Sequence, residues 1–416
     1  MTGSTIDHLV SLMVFLGAIL LFIGLFNQTI QTAILYQHHR SIATKCSDLL
    51  DNVLLNPGYP IEWKQGHPVE WGKLNVTPTG FGLQDPEFTQ YRLSPFSLMR
   101  LRSSTGEPVY YPKTGLYYSN ITMGFGNFLL VPFTEAINYS TAARLLGINN
   151  TYGFQLTITP IVTVSIAEVQ PKNPLRLSVN VAGMGFPLSN AAVSYCFLTV
   201  IRKDQGQYPA YTIEYDTTFT DEKGSVLLNF TGVDGTKDSY ALIVYAHLSG
   251  LIGVGYHESV TSEKQYVIPF IKNLEERKVI IAHSYDVHDF GPPVAALFYN
   301  ATFVLLSEDF TLREMPMDNS TGKVDKVNYG EGQPYKEITI PTYNPGILII
   351  TYRAENEYGV VLMPWGISAM AFPVTFGDDP FSREWVATDI RQVLVNNIAY
   401  QAKLALWSLQ GYQVIG

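Results

Sequence analysis

Residues 9–26 read LVSLMVFLGAILLFIGLF, an uncharged apolar run of eighteen residues that starts almost at the first methionine and precedes 390 residues of ordinary soluble-looking chain. At 1.5 Å rise per residue a helix of this length covers about 27 Å, close to the thickness of a bilayer's hydrocarbon core. The run therefore predicts one membrane crossing, with membrane lipid as the partner of residues 9–26. A cleaved secretory signal is the competing reading. Against it, the leading MTGSTIDH lacks a Lys/Arg-rich region and no A-x-A-like site follows the run. The expectation is a retained anchor.

The helical pattern continues past the apolar run. Leu35, Ile42 and Leu49 recur every seven residues, with His39, Cys46 and Val53 offset by four, until Asn56-Pro57-Gly58 ends the pattern. One helix from about residue 5 to residue 55 is expected, its outer half reaching ~40 Å beyond the bilayer. Its packing stripe, Leu35, Ile42, Cys46, Leu49 and Val53, must be covered by the chain's own β body or by neighbouring subunits. Residues 1–58 resemble type IV pilins and the pilin-like proteins of archaea. In those families an N-terminal helix is half membrane or filament core and half support for a β head. The resemblance implies self-assembly into a filament as one fate of the helix.

Composition sets the class of the remainder. The chain has 416 residues, 26 Tyr, 22 Phe, 33 Gly and 24 Pro, with 15% charged residues. That mix suits short strands joined by turns, in two or three units beyond the anchor. The net charge of −9 supplies no basic stripe and argues against nucleic acid as a partner. Two cysteines, Cys46 and Cys196, exclude a small disulfide scaffold and a CxxC metal or redox pair. One bridge or two buried thiols both fit the sequence.

The sidedness signals conflict. N-x-[ST] triplets start at Asn27, Asn75, Asn120, Asn138, Asn149, Asn229, Asn300 and Asn319, eight among twenty-one asparagines; chance would give about three, and the excess favours a translocated, glycosylated body. Asn27 lies too near the bilayer to count. Arg40 and Lys45 follow the span while no basic residue precedes it, which by the positive-inside rule points the body inward. Two charges fourteen residues or more beyond the run are a weak bias against the sequons, so the expected location is a single-pass membrane protein with its body outside the cell.

The expected fold class is mainly β: the long helix (1–58), a small mixed α/β module (59–151), an immunoglobulin-like sandwich (152–270) and a second β module (271–416). Within the mixed module, Ser140 or Thr141 is expected to cap a short helix over 142–146. From residue 152 the apolar period becomes two, giving seven short strands before residue 248. The segments GFPLSNAAV (185–193) and TDEKGSV (220–226) resemble the G-x-P-x-x-N-A-x-V and T-D-x-x-G patterns of invasin-type and macroglobulin-type sandwich domains. The resemblance implies a folding signature rather than a catalytic one. Residues 387–409 read as a hairpin around Asn396-Asn397, with Ile398, Tyr400, Ala402, Leu404 and Leu406 facing a core; a C-terminal helix over the same span is the alternative.

No HExxH, GxSxG, GxxxxGK[ST], GxGxxG or EF-hand pattern occurs, so no enzyme class, catalytic residue or cofactor is implied. One segment carries metal-type ligands: His283, Asp286, His288 and Asp289 in HSYDVHD, two imidazoles and two carboxylates within seven residues. An extended strand would split them between two faces, and a polar loop before Gly291-Pro292-Pro293 is the plainer reading. His257-Glu258-Ser259 lacks a local orienting partner for a triad. Trp63, Trp71 and Trp365 are candidate sugar platforms if exposed, and core residues otherwise. The sequence thus points to a non-enzymatic surface protein, structural, adhesive or pilin-like, with other surface proteins or its own copies as partners. A tethered receptor or exoenzyme with a pocket in a β module is the alternative.

Overall fold

In the computed structural model the apolar run and the stripe beyond it form one helix, Thr2–Leu55. The structure describes residues 2–409 apart from 65, 75, 89, 102–104, 123–127, 133–135, 203–207, 262–264, 289–295, 308, 326–334, 382 and 384. The helix has two environments. Residues 6–30 are exposed throughout, whereas Ile42, Cys46, Leu49, Leu50, Val53 and Leu54 are buried. Leu50 and Leu54 are wholly withdrawn from water, worth ~1.5–3 kcal/mol each. At the helix end Gly58 takes φ +73°, where an added Cβ would sit 2.7 Å from the Gly80 carbonyl; only glycine fits that crossing.

The surface that covers the stripe is a five-stranded sheet in the order Val374–Gly377, Tyr152–Pro160, Ile398–Ser408, Ala387–Val395, Arg92–Leu93. The expected hairpin is present: Val395 pairs with Ile398 across Asn396 and Asn397, whose φ angles are 47° and 66°, the left-handed pair that asparagine tolerates in a two-residue turn. Register brings Ala387, Asp389 and Arg391 opposite Leu406, Leu404 and Ala402, and these opposite Phe154, Leu156 and Ile158. That shared face receives the helix. Cys46 Sγ lies 3.4 Å from the Leu404 carbonyl oxygen and 3.7 Å from that of Ala387.

The segment expected to form a sandwich has two antiparallel sheets. One holds Val162–Gln170, Leu175–Gly183 and Ser225–Phe230 with the short Phe186–Pro187; the other runs Ala210–Phe219, Ala192–Ile201, Tyr240–Leu248, Leu251–Ser259. Leu177, Val179, Val193, Phe197, Phe230 and Leu242 fill the space between them, with the rings of Phe197 and Phe230 stacked at 3.6 Å. The two motif segments read from the sequence bind each other. Thr220 Oγ1 accepts the Ala191 N–H at 2.9 Å and donates to the Leu188 carbonyl at 2.6 Å, while Asp221 accepts the N–H groups of Lys223 and Ser225.

The outer face of the second sandwich sheet carries Cys196, Leu198, Ile243, Tyr245 and Val254 into the main core, shared with Leu297–Leu306, Gly346–Ala354 and Glu357–Trp365. Three sheets therefore stack in layers. Sheet membership differs from the expected boundaries in two places. Tyr152–Pro160, expected to open the sandwich, pairs instead with Ile398–Ser408, and the sandwich proper starts at Val162 after Ile161 donates its N–H to the Ala399 carbonyl. Likewise the strands of segment 59–151 do not close on themselves. Thr105–Tyr111, Leu116–Thr122 and Phe128–Pro132 extend a six-stranded sheet through a parallel contact with Val267–Asn273.

The short helix expected near 140–146 is Tyr139–Leu145, and its cap is Asn138 rather than Ser140 or Thr141: Asn138 Oδ1 accepts the Thr141 N–H at 2.8 Å. The apolar run 94–101 holds a further turn, Pro95–Met99, capped by Ser94.

Candidate functional site: the helix seat and the far cleft

Strand Ala387–Val395 runs alongside the helix in the same direction. His39 stacks on Trp385 at 4.2 Å, Cys46 sits at Ala387, and Ser47 and Asp51 meet Arg391. Twelve helix residues and six strand residues both advance ~18–20 Å. The body thus has a near end, at Trp385 and Ser408, facing the apolar run, and a far end at Leu55 and the Asn396-Asn397 turn.

Arg391 anchors the seat. Its Nε and Nη2 lie 3.0 and 3.3 Å from the two Asp51 oxygens, its Nη1 is 2.7 Å from Asp389, and Nη2 also donates to Ser47 Oγ at 3.0 Å. Hydrogen bonding to Asp51, then to Asp389 and Tyr91, pushes the guanidinium pKa up. Burial works to raise the Asp389 carboxyl, but hydrogen bonds from Ser47, Arg391 and the Ile390 N–H together hold it below the ordinary carboxylate range. Beside them, burial and then the Asp389 charge push the Cys46 thiol up to about 11. Cys46 and Cys196 are both free and buried, so the reading as two unpaired thiols holds over the bridge.

At the far end a cleft of about 500 Å³ opens between the hairpin Ile61–Lys64/His67–Glu70 and the loops carrying Phe88, Glu275 and Tyr343, with Asn396 at its rim. Charged side chains of both signs line its walls. Lys64 pairs with Glu62 at 3.1 Å and with Glu275, His67 Nδ1 lies 3.6 Å from Glu87, and Arg92 lies over the Phe88 ring at 3.8 Å. Below it the buried Glu70 accepts from Ser94 Oγ at 2.6 Å and lies 3.4 Å from Lys73; burial raises its pKa, against the opposing pull of Lys73 and Ser94. The sequence reading did not bring these residues together, since they come from five separated segments with no common spacing.

The structure places three of the four HSYDVHD candidates, on two elements. His283 ends Lys278–His283 and is buried, its Nδ1 accepting the Tyr285 N–H at 3.3 Å and its ring packed edge-on to Tyr266 and Tyr285. Asp286 and His288 lie in the one-turn helix Ser284–His288, and Asp289 falls outside the described residues. Among the described residues no three His, Cys, Asp or Glu side chains are grouped closely enough to hold a metal. His257 is likewise built into packing: its Nε2 lies 3.3 Å from the Tyr240 hydroxyl, which donates to Glu168 at 2.7 Å, and burial lowers its pKa. Trp71 and Trp365 are core residues, while Trp63 is 75% exposed.

The sequons divide by environment. Asn149, Asn229 and Asn319 are exposed, Asn138 is a helix cap, and Asn300 is half-buried with Nδ2 donating to the Pro209 carbonyl at 3.2 Å. Asn120 lies on Leu116–Thr122, and Asn75 is outside the described residues.

The chain matches no protein family and no curated protein. Among solved structures it is similar in part to red sea bream transglutaminase, at 10% identity over 60% of this chain and 37% of that one, TM-score 0.17. It is also similar to Escherichia coli alpha-2-macroglobulin in its native conformation, at 11% identity over 66% and 19%, TM-score 0.21. The BSP domain of a biofilm-associated protein aligns at 10% identity over 50% and 30%, TM-score 0.15. The chain spans well under half the length of each of these three, and overlays at such scores carry no inference about what it does.

Proposed function

We propose that this chain is a single-pass, membrane-anchored surface protein whose body stands outside the cell and acts as a structural or adhesive element without catalysis. One observation carries the reading: a single helix is bare over residues 9–26 and becomes part of the β core from Ile42 onward. A span continuous with the core couples the body rigidly to the bilayer. Coverage of Ile42, Cys46, Leu49 and Val53 by the chain's own sheet favours the monomeric anchor over the pilin-like filament, since most of the stripe is already used; only Leu35 stays 37% exposed. Exposed sequons support the outward orientation.

Immunoblotting of sheared surface material and of detergent-extracted membranes, with protease shaving of intact cells, tests this reading. The body is expected to stay with the membrane and to be cut by external protease. Recovery in sheared filaments would overturn the anchor, and protection from protease would overturn the orientation.

The cleft supports a second reading, a tethered ligand-binding receptor. Its volume of about 500 Å³ falls in the range of small-ligand sites, ~300–1,000 Å³, and it opens at the end remote from the span. Screening the detergent-solubilised full chain on a glycan array, with Tyr343→Ala as comparison, tests it; equal signal from both proteins would remove it.

A further inference from the structure

The connection from Val374–Gly377 to Ala387–Val395 crosses the edge of the helix-bearing sheet that faces the apolar run. Gly377 pairs with Gln155, and Tyr152 with Ser408, so the chain leaves the sheet at its near end. It re-enters beside the helix, where Trp385 stacks on His39. Arg383 lies over the Trp407 ring at 5.7 Å and ties the connection to the end of the neighbouring strand. Two residues before Arg383 stands Phe381, 94% exposed, more than any other large apolar side chain among the described residues, with Leu409 also exposed on the same edge.

A phenyl ring held in water contributes nothing to the body's own core, yet at a bilayer surface it meets the layer where aromatic side chains concentrate. From Phe26 to His39 the helix climbs ~20 Å, of which the headgroup layer takes ~5–7 Å. The body sits on one side of the helix, so a tilt lowers this edge toward the lipid; membrane helices tilt by ~20° on average and up to ~40°. Thr29 and Thr32 hydroxyls already donate to the Leu25 and Gln28 carbonyls, which suits this stretch to a partly apolar layer. The charges along the edge and the adjoining helix, Arg40, Lys45 and Arg383 against Asp48, Asp378, Asp379 and Glu384, leave no positive excess.

We propose that Phe381 inserts into the interfacial layer of the bilayer that holds residues 9–26, so that the body rests on lipid through an aromatic contact. This rests on the anchor reading above. Because the surrounding charges leave no positive excess, the contact does not draw on anionic lipid.

The test uses the full chain in phosphatidylcholine nanodiscs with nitroxide labels placed singly at Phe381→Cys, Phe186→Cys and Ala18→Cys, the native thiols being buried. Collision with oxygen is compared with collision with an aqueous nickel chelate. The label at 381 is expected to favour oxygen several-fold over the label at 186, which sits on a sandwich turn, and adding phosphatidylglycerol is expected to leave the ratio unchanged. A label at 381 as water-exposed as that at 186, while 18 reports hydrocarbon, overturns the lipid contact alone. A water-exposed label at 18 overturns the anchor itself, and this contact with it.

Discussion

Asp51 and Arg391 are 340 positions apart in the chain and face each other as a forked pair, with N–O distances of 3.0 and 3.3 Å. The contact fixes the helix in rotation and in height on its sheet, and Tyr91 adds a third hold by donating to Asp51 at 3.0 Å. Removing the guanidinium by Arg391→Ala is expected to cost about 1 kcal/mol, since the pair is partly exposed and solvent screens it. Asp389 has a lowered folded pKa, so its contribution is present above the unfolded value, about 3.9, and is lost as pH falls through the folded one. Wild type should therefore lose more stability than Arg391→Ala on going from neutral pH to below ~4. Denaturant melts in nanodiscs across that range check both statements.

Leu50→Ala is expected to destabilise the body by about 2–5 kcal/mol, the cost of a cavity at a fully buried leucine. Leu21→Ala, on the bare part of the same helix, should leave the unfolding midpoint unchanged. Tryptophan fluorescence reports the transition, because Trp71, Trp365 and Trp407 are all buried. Equal effects from the two substitutions would contradict the division of the helix.

The thiols should be silent in the folded state. Burial raises Cys46 to about 11 and Cys196 to about 12, leaving ~10⁻³ or less as thiolate at pH 8, and the thiolate is the reactive species. Maleimide labelling at that pH is expected to give no modification until denaturant is added, then two per chain.

Gly253 and Gly255 let the strand Leu251–Ser259 close on Val162–Gln170. A Cβ on Gly253 would stand 2.5 Å from Val162 Cγ1 and 3.1 Å from its carbonyl, and one on Gly255 2.6 Å from Val164 Cγ1. Gly253→Ala should cost ~1–3 kcal/mol through overpacking, measurable as a lowered unfolding midpoint.

Glycan occupancy should follow exposure. Asn229 and Asn319 are expected to carry glycans and Asn300 none, because its amide nitrogen is committed to Pro209. Site-resolved mass spectrometry of peptides from cells that glycosylate this chain decides it; modification at Asn300 would mean that the amide is free when the glycan is added.

Much of the fold is legible in local pattern. The heptad recurrence of Ile42 and Leu49, the alternation from Ile398 to Leu406 and the Asn396-Asn397 turn each report their own element, because burial on one face imposes its period on the sequence. The sandwich is legible for a further reason: its corner residues, Thr220 with Ala191 and Leu188, form a local code for one junction. The cleft is not legible, since Lys64, Arg92, Glu275 and Tyr343 share no spacing. HSYDVHD shows the limit of spacing from the other direction: His283 ends a strand while Asp286 and His288 lie in the helical turn that follows.

The amino-acid sequence alone determined that one apolar segment is long enough to cross a bilayer, that the helix continues beyond it with a sticky face, and that the rest is β. These follow from periodicity and transfer energy, which act over a few residues. Tertiary structure alone decided what covers the sticky face. Asp51 finds Arg391, His39 finds Trp385 and Cys46 finds Leu404 only after hundreds of residues have been laid into sheets, and no pattern within either segment encodes the partner that shape and charge then select.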